Sequence, residues 1–287
     1  MRVGRRIHWW SLKQRSRLRL MLRPPIAPNA EAPILIQIRY SLLMRDGAPW
    51  VRTRNLSFAE YQRTIFDPAR LSRRLRLFRE VALPSLAAQT LPMREGVREL
   101  ALLVSTELPP PHLAELQQTF AGLSWVRIVP VPADSQDFPW IWNDRLHANV
   151  TMDDDDAVSR DFLERLSGFV RDDLADHVIT FPAGYNAMIE WNGPPGFERA
   201  YVPLVAIGLA VIARPGGRFR LVFDLGNHMF ADRMAPVIFG DLKPAFIRTV
   251  HDSGDRYPRD VFVPDDQIQV ADVRRDFDFN PAGLVLN

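Results

Sequence analysis

The chain has 287 residues, of which 47% are hydrophobic and 24% are charged, and it contains no cysteine. Its apolar content is enough for a sizeable core and excludes a disordered chain. The lack of cysteine excludes a disulfide framework, thiolate metal sites and a cysteine nucleophile. Residues 1–25 hold eight of the 36 Lys and Arg and no acid, so the net charge of +2 comes from an N-terminal tail. We therefore expect no nucleic-acid partner.

The basic segment, residues 1–30, is predicted to be a tail preceding a single domain over residues 31–287. It combines tryptophans and leucines with arginines, as a helix lying on a membrane surface would, and the alternative is a frayed basic arm. It lacks the apolar region of a signal peptide. The longest apolar run, residues 200–213, is too short to span a bilayer and contains Pro203. We expect a cytoplasmic protein whose tail contacts the inner face of the membrane.

Strands and helices alternate along the first part of the chain. Buried strands are predicted at residues 34–43, 98–106, 125–132 and 147–152, and helices at residues 67–90, 109–123 and 157–177. The first helix has Asp67 as a cap and Pro68 at its first position. This alternation predicts an α/β fold with a mainly parallel sheet flanked by helices. After residue 177 the pattern becomes strand-like, including residues 218–225, which predicts a β-rich C-terminal half. This half could be a separate domain or a continuation of the same sheet, and we favour the continuation.

Four consecutive aspartates, Asp153 to Asp156, follow the fourth predicted strand. In an open parallel sheet, ligands bind outside the carboxyl ends of the strands. A helix start would account for Asp156. Adjacent carboxylates otherwise repel one another, and Mg²⁺ or Mn²⁺ reverses that effect because these ions prefer carboxylate oxygens. Asp153 and Asp155 are two residues apart and point to the same side, whereas Asp154 faces away and has no evident role.

Other polar residues are candidates with a structural alternative. Asp224 and His228 follow a predicted strand, and either could take the proton from an attacking hydroxyl or belong to a polar turn. Arg145 could bind a diphosphate or form a surface ion pair. Trp140 and Trp142 could stack on a sugar or base ring or anchor their loop to the core. The sequence has no dinucleotide-binding or P-loop glycine pattern and no Gly-x-Ser-x-Gly elbow.

Four phrases in order resemble the bacterial "putative rhamnosyltransferase" family, which belongs to the GT-A glycosyltransferases. They are RRLRLFREVALPSLAAQT (residues 73–90), LLVSTELPPPHLAEL (102–116), VTMDDDDAVSRDFL (150–163) and GNHMFADRMAPVIF (226–239). The resemblance runs from about Ile34 to His251. It implies a GT-A-like fold and a glycosyltransferase that uses Mn²⁺ or Mg²⁺. The implied partners are a nucleotide-diphosphate sugar donor and a glycan or lipid-linked acceptor.

The resemblance also implies roles for individual residues. Asp153 would contact the nucleotide's ribose or base and contribute to the metal site, and Asp155 would be the metal ligand that bridges the diphosphate. Asp156 would lie near the sugar or behind the metal ligands. Arg39, at the end of the first strand, would lie near the nucleotide. His251 would complete the metal shell, although the Asp-Ser-Gly after it departs from the family pattern.

Two further observations narrow the expected activity. The family usually has a small or neutral residue where this chain has Asp154. The Gln-x-x-Arg-Trp phrase of processive synthases is absent, so we expect transfer of a single sugar, such as rhamnose or a related deoxysugar. The alternatives are a sugar-nucleotide pyrophosphorylase, whose glycine-rich loop is missing from IRYSLLMRDGAP (residues 38–49), and a non-catalytic module that binds Ca²⁺ or a glycan.

Overall fold

The structure is a computed structural model that describes residues 26–44, 55–135, 137–189, 196–251 and 264–280. Its strands are β1 Ile34–Tyr40, β2 Arg98–Ser105, β3 Val126–Val131, β4 His147–Met152, β5 Ala157–Val158, β6 Val178–Thr180, β7 Ala183–Met188, β8 Gly196–Tyr201, β9 Leu209–Ala213, β10 Val237–Phe239 and β11 Phe246–Val250. Its α-helices are α1 Phe58–Ile65, α2 Pro68–Leu77, α3 Leu83–Ala87, α4 Pro110–Thr119, α5 Phe162–Ser167, α6 Ala231–Met234 and α7 Val270–Asp276.

Seven strands form a large sheet in the order β10-β6-β9-β4-β1-β2-β3, and β9 alone runs against the other six. A smaller sheet has the order β5-β11-β7-β8. The predicted α/β fold with a mainly parallel sheet and a β-rich C-terminal half is therefore confirmed. Strands β6, β9 and β10 come from that second half and join the large sheet. The domain boundary at residue 30 stays a prediction.

Helix α2 packs on one face of the large sheet and begins as predicted. Asp67 Oδ1 accepts a hydrogen bond from Arg70 N at 2.8 Å, and Pro68 is the first helical residue. Leu71, Leu75 and Phe78 are buried against the apolar side chains of β1. A π-helical turn, Phe78–Ala82, separates α2 from α3. Such turns inside helices occur frequently at functional sites.

Two predicted elements are wrong. The helix predicted over residues 157–177 is only α5, because Ala157 and Val158 pair with β11 and Arg160 N donates to Asp276 O at 2.8 Å. These bonds to distant residues replace the i to i+4 bonds of a helix. The strand predicted over residues 218–225 is a 3₁₀ turn, Val222–Leu225, and Gly226 follows it with φ of 70°. Apolar spacing over four or five residues fits either structure.

No helix in the described part of the chain is long and apolar enough to cross a bilayer. The predicted membrane contact of the tail falls on residues 1–25, which lie outside the described residues. The localisation of the protein stays a prediction.

Trp142 is buried against Leu35 and Ala101, so it anchors its loop to the core.

His147, the first residue of β4, is completely buried. Its Nδ1 lies 3.0 Å from Arg145 O and must donate to that carbonyl, whereas Nε2 has no hydrogen-bond partner among the described residues. The Trp142 ring packs edge-on at 5.5 Å. Burial lowers the pKa of His147, because an imidazolium would lose its hydration in this position.

This burial predicts an acid-dependent loss of stability. The unfolded chain takes up the proton near pH 6.5, the ordinary value, before the folded chain does. The stability that neutral His147 contributes is therefore fully present above about pH 6.5 and falls as the pH drops toward the folded-state pKa. We compare the unfolding free energy of wild type with that of His147→Phe, in which no imidazole can titrate. The difference, wild type minus variant, should fall by up to about 1.4 kcal/mol for each pH unit in this range. Urea unfolding at pH 7.5, 6.5 and 5.5 measures it, and a constant difference would contradict the assignment.

Candidate functional site

The four aspartates lie at the carboxyl edge of the large sheet, as predicted. Asp153 directly follows β4, and Asp156 N donates to Asp153 O at 3.4 Å. The chain then enters β5 of the small sheet. Asp154, Asp155 and Asp156 are buried, and Asp153 is half-buried. The aspartates therefore form the turn that connects the two sheets.

Asp154 owes its position to Arg74 of α2, a residue that the sequence analysis missed. Arg74 Nε donates to Asp154 Oδ2 at 2.8 Å, and Arg74 Nη2 contacts Oδ1, which makes the pair bidentate. The carboxylate of Asp154 is completely buried. A signal for Arg74 was present, because it lies three residues after Leu71 and four before Phe78, within the apolar stripe of the helix.

Asp155 connects this ion pair to β11. Its Oδ2 lies 2.9 Å from His251 Nε2 and 3.4 Å from Arg74 Nη1. Burial would raise the pKa of Asp155, but the charge of Arg74 and the hydrogen bond with His251 outweigh it and hold that pKa well below its ordinary value. Asp155 is therefore a carboxylate anion, as a metal ligand has to be.

Asp153 lies close to Asp155 and to Arg39, the penultimate residue of β1. Burial and then the charge of Asp155 raise the pKa of Asp153, and Arg39 opposes that rise. Burial lowers the pKa of Arg39, and Asp153 opposes this shift in turn. The Arg39 guanidinium also lies 4.9 Å from the centre of the Phe223 ring. The structure thus brings Arg39, Asp153, Asp155 and His251 together.

Asp156 does not start a helix, so that interpretation is wrong. Its Oδ1 accepts a hydrogen bond from Thr249 N at 2.8 Å, and the next residue, Ala157, pairs with β11. Burial, and then the charges of Asp155 and Asp153, raise the pKa of Asp156 well above its ordinary value. Asp156 therefore fixes the aspartate turn to the strand that leads to His251.

Asp224 lies in a turn that is attached to the middle of β4 and β1. Val222 N donates to Asn149 Oδ1 at 2.8 Å, and Asn149 Nδ2 donates to Gln37 Oε1 at 3.0 Å, which fastens the turn to β4 and β1. Asp224 Oδ2 accepts hydrogen bonds from Arg220 N and Leu221 N, at 2.8 and 3.1 Å.

His228 lies farther along the chain in a separate 3₁₀ turn, His228–Phe230. Neither Asp224 nor His228 follows a strand, contrary to the sequence analysis, since both belong to 3₁₀ turns. Their catalytic roles stay predictions.

Arg145 lies at the opposite edge of the sheet. It precedes β4, and its Nη1 donates to Gly96 O, before β2, at 3.0 Å. Its Nε donates to the neighbouring Asp144 at 3.0 Å. The six residues of β4 separate it from the aspartates by roughly 20 Å. We therefore exclude Arg145 from the nucleotide site, and the surface ion pair is its role.

The donor chemistry at the aspartate turn fits a divalent cation. Within the described ranges, no three His, Asp or Glu side chains are arranged around a single ion position. Asp155 and His251 nevertheless supply a carboxylate oxygen and an imidazole nitrogen 2.9 Å apart. Mg²⁺ commonly takes one or two protein carboxylates and completes its shell with water and substrate phosphates. The Arg74 guanidinium makes its bidentate pair with Asp154 and has only a longer contact, of 3.4 Å, with Asp155. The Asp155 carboxylate is therefore not taken up by a bidentate arginine pair.

The comparisons with solved structures give distant similarities. A crystal structure of S. aureus TarS residues 1–349 in complex with UDP-GlcNAc has a TM-score of 0.41 and 9% identity, over 78% of this chain and 60% of that one. The mannosyltransferase PcManGT from Pyrobaculum calidifontis, in complex with GDP-Man and Mn²⁺, has a TM-score of 0.45 and 11% identity, over 87% and 65%. The chain thus spans less than two thirds of the length of either protein. Similarities at this level assign no residue of the site.

The family comparison is more extensive. No curated protein matches the chain. The family model described as "Putative rhamnosyl transferase" matches residues 34–261, which include both sheets and the aspartate turn. The match covers most of the chain and confirms the resemblance seen in the sequence. The chain therefore belongs to the family described as "Putative rhamnosyl transferase".

Proposed function

We propose that the protein is a metal-dependent glycosyltransferase of the GT-A type. It would move a sugar, rhamnose or a related deoxysugar, from a nucleotide-diphosphate donor to a hydroxyl group of a glycan or glycolipid. Membership of the family supports the transferase activity. The observation that carries the rest is the Asp155–His251 contact of 2.9 Å beside Asp153 and Arg39, at the carboxyl edge of the sheet.

The proposed roles follow from these positions. Asp153 and Arg39 lie at the ends of adjacent parallel strands, where Asp153 would bind the ribose or base and Arg39 a phosphate oxygen. Asp155 and His251 would hold Mn²⁺ or Mg²⁺, and Asp153 would join them after a change in its side-chain position, since the three described side chains do not surround one ion position in the structure. The bound cation would supply a Lewis acid that neutralises the charge of the leaving diphosphate. Asp156 would keep β11, and with it His251, in place through Thr249 N.

The acceptor hydroxyl also has to lose a proton as it attacks the sugar. We propose Asp224 or His228 as the base. Asp224 is supported by its neighbour Phe223, whose ring contacts Arg39 of the proposed nucleotide site. Asp224 Oδ2 already accepts two backbone hydrogen bonds, so Oδ1 would be the oxygen that takes the proton.

Donor hydrolysis tests this function without knowledge of the acceptor. We expect slow hydrolysis of at least one UDP-, GDP- or dTDP-sugar in the presence of Mn²⁺ or Mg²⁺, and none in EDTA. Arg145→Ala is a suitable control and should hydrolyse the donor like wild type, since Arg145 lies at the other edge. No hydrolysis of any donor would contradict the proposal. Formation of a nucleotide sugar from a nucleoside triphosphate and a sugar phosphate would instead favour a pyrophosphorylase.

We also propose that the basic tail brings the enzyme to anionic membranes that carry lipid-linked acceptors. The eight basic side chains of residues 1–25, together with Trp9 and Trp10, support this role. Deleting residues 1–25 should abolish sedimentation with phosphatidylglycerol-containing liposomes. Unchanged liposome binding after the deletion would remove the proposal.

A further inference from the structure

A row of polar side chains crosses the small sheet and begins at the aspartate turn. In the β5–β11 pairing, Ala157 opposes Ile247, so Asp156 continues the register opposite Arg248. Arg248 opposes Asn186 of β7, and Asn186 opposes Glu198 of β8. Directly opposed residues point to the same face of a sheet. Asp156, Arg248, Asn186 and Glu198 therefore form one continuous row, which we name the polar row.

The two faces of the small sheet differ. One face packs Tyr185, Phe197 and Ile247 against α7 and is apolar. The polar row occupies the opposite face. The charge of Arg248 acts on the carboxylates of Asp153 and Asp156, so this face adjoins the proposed metal and nucleotide site.

Asn186 is the member of the polar row that demands a partner. It is only 6% exposed, and its Oδ1 is buried without a hydrogen bond from any described residue. An unsatisfied buried carbonyl lowers stability, so few are retained in native proteins without a function or a bound molecule. Its neighbours in the row, Arg248 and Glu198, are half-buried and offer donors and acceptors beside it.

We propose that the polar row is the subsite for the acceptor sugar, in which Asn186 Oδ1 accepts a hydrogen bond from a sugar hydroxyl. The assignment rests on the proposed function. The nucleotide would lie beside Arg39 on the large sheet. The polar row starts at the aspartates and crosses the small sheet, so an acceptor bound there would reach the aspartates from the side opposite the nucleotide. Arg248 stands among Asp156, Glu198 and Asn186, so the row has no excess of positive charge. It therefore suits a neutral polyhydroxyl ligand better than a phosphate.

The test replaces Asn186 by leucine, which has the same number and branching of side-chain heavy atoms and no polar atom. Binding of methyl glycosides (glucoside, galactoside, mannoside and rhamnoside) is measured by saturation-transfer NMR in the presence of diamagnetic Mg²⁺ and the nucleoside diphosphate that binds. We expect wild type to bind at least one glycoside, and Asn186→Leu to bind it about tenfold more weakly, the loss of one hydrogen bond. The melting temperature should be unchanged or higher, because a buried unsatisfied carbonyl is removed. If Asn186 had only a structural role, its replacement would not weaken glycoside binding while leaving the melting temperature unchanged or higher.

The controls separate this inference from the proposed function. Arg199→Ala, next to Glu198 but exposed on the opposite face, should bind the glycoside like wild type. Asn186→Ala serves if the leucine variant does not fold. Donor hydrolysis should be normal in both Asn186 variants, since it needs no acceptor. Normal hydrolysis with undiminished glycoside binding, or no glycoside binding by wild type, would overturn the subsite, whereas a wild type without donor hydrolysis would overturn the proposed function.

Discussion

Replacing Asp155 by asparagine is expected to reduce donor hydrolysis and sugar transfer about 10³-fold, which corresponds to roughly 4 kcal/mol of transition-state stabilisation. Asparagine keeps the size of the side chain but removes the negative charge. That charge is present throughout the neutral range, because Arg74 and His251 hold the pKa of Asp155 well below its ordinary value despite burial. Initial rates at saturating donor and Mn²⁺, with circular dichroism to verify the fold, measure the effect.

Asp144→Asn is a matched control for this variant. Asp144 is an exposed aspartate that pairs with Arg145 at the other edge of the sheet, with 64% of its side chain accessible. It undergoes the same chemical change and should keep wild-type rates. An Asp155→Asn protein whose rates stay within about threefold of wild type would contradict the role of Asp155, because a lost metal ligand costs several kcal/mol.

Replacing Arg74 by leucine is expected to lower the unfolding free energy by about 3–5 kcal/mol. The substitution leaves the completely buried Asp154 carboxylate without its bidentate partner, and a buried charge without a partner is costly. Arg74→Lys should recover only part of this loss, since a lysine ammonium cannot form both bonds. Urea unfolding at pH 7.5 measures all three proteins.

A second substitution separates charge from packing in this result. Adding Asp154→Asn to Arg74→Leu should recover at least half of the lost stability, because the uncompensated charge is removed. The control is Arg79→Ala, about one helical turn after Arg74, which breaks an exposed ion pair with Glu115. It should change stability by about 1 kcal/mol or less. If Arg74→Leu destabilises no more than Arg79→Ala, Arg74 does not hold the aspartate turn together.

Much of the fold could be predicted because buried strands appear as short apolar runs and helix starts carry a recognisable cap. The strands before residue 153 and the start of α2 at Pro68 followed from buried runs and from a cap with proline. The segment after the aspartates could not be predicted, because Val158, Phe162 and Leu166 fit a helix by spacing. Ala157 and Val158 instead pair with β11, about ninety residues later in the chain, and no local signal encodes that pairing.

The site was predicted in position but not in its internal connections. The placement of Asp153 and Asp155 followed from the rule for the carboxyl edge of parallel sheets. The partner of Asp154 was missed because an arginine on a helix is ordinarily assigned to solvent, although Arg74 lies in the apolar stripe. Arg145 was assigned to the wrong edge because it is only eight residues before Asp153 in the sequence. The strand β4 lies between them and places the two residues at opposite edges of the sheet.

Calorimetry with nucleoside diphosphates tests the central claim most directly. UDP, GDP and dTDP are titrated into wild type and into Asp155→Ala, each with Mn²⁺ and with EDTA. We predict that at least one nucleotide binds wild type with Mn²⁺, and that this binding disappears in EDTA and in Asp155→Ala. Nucleotide binding that is equally strong in EDTA and in Asp155→Ala would contradict the account, as would binding of Ca²⁺ alone without any effect of nucleotide, the result expected of a non-catalytic module.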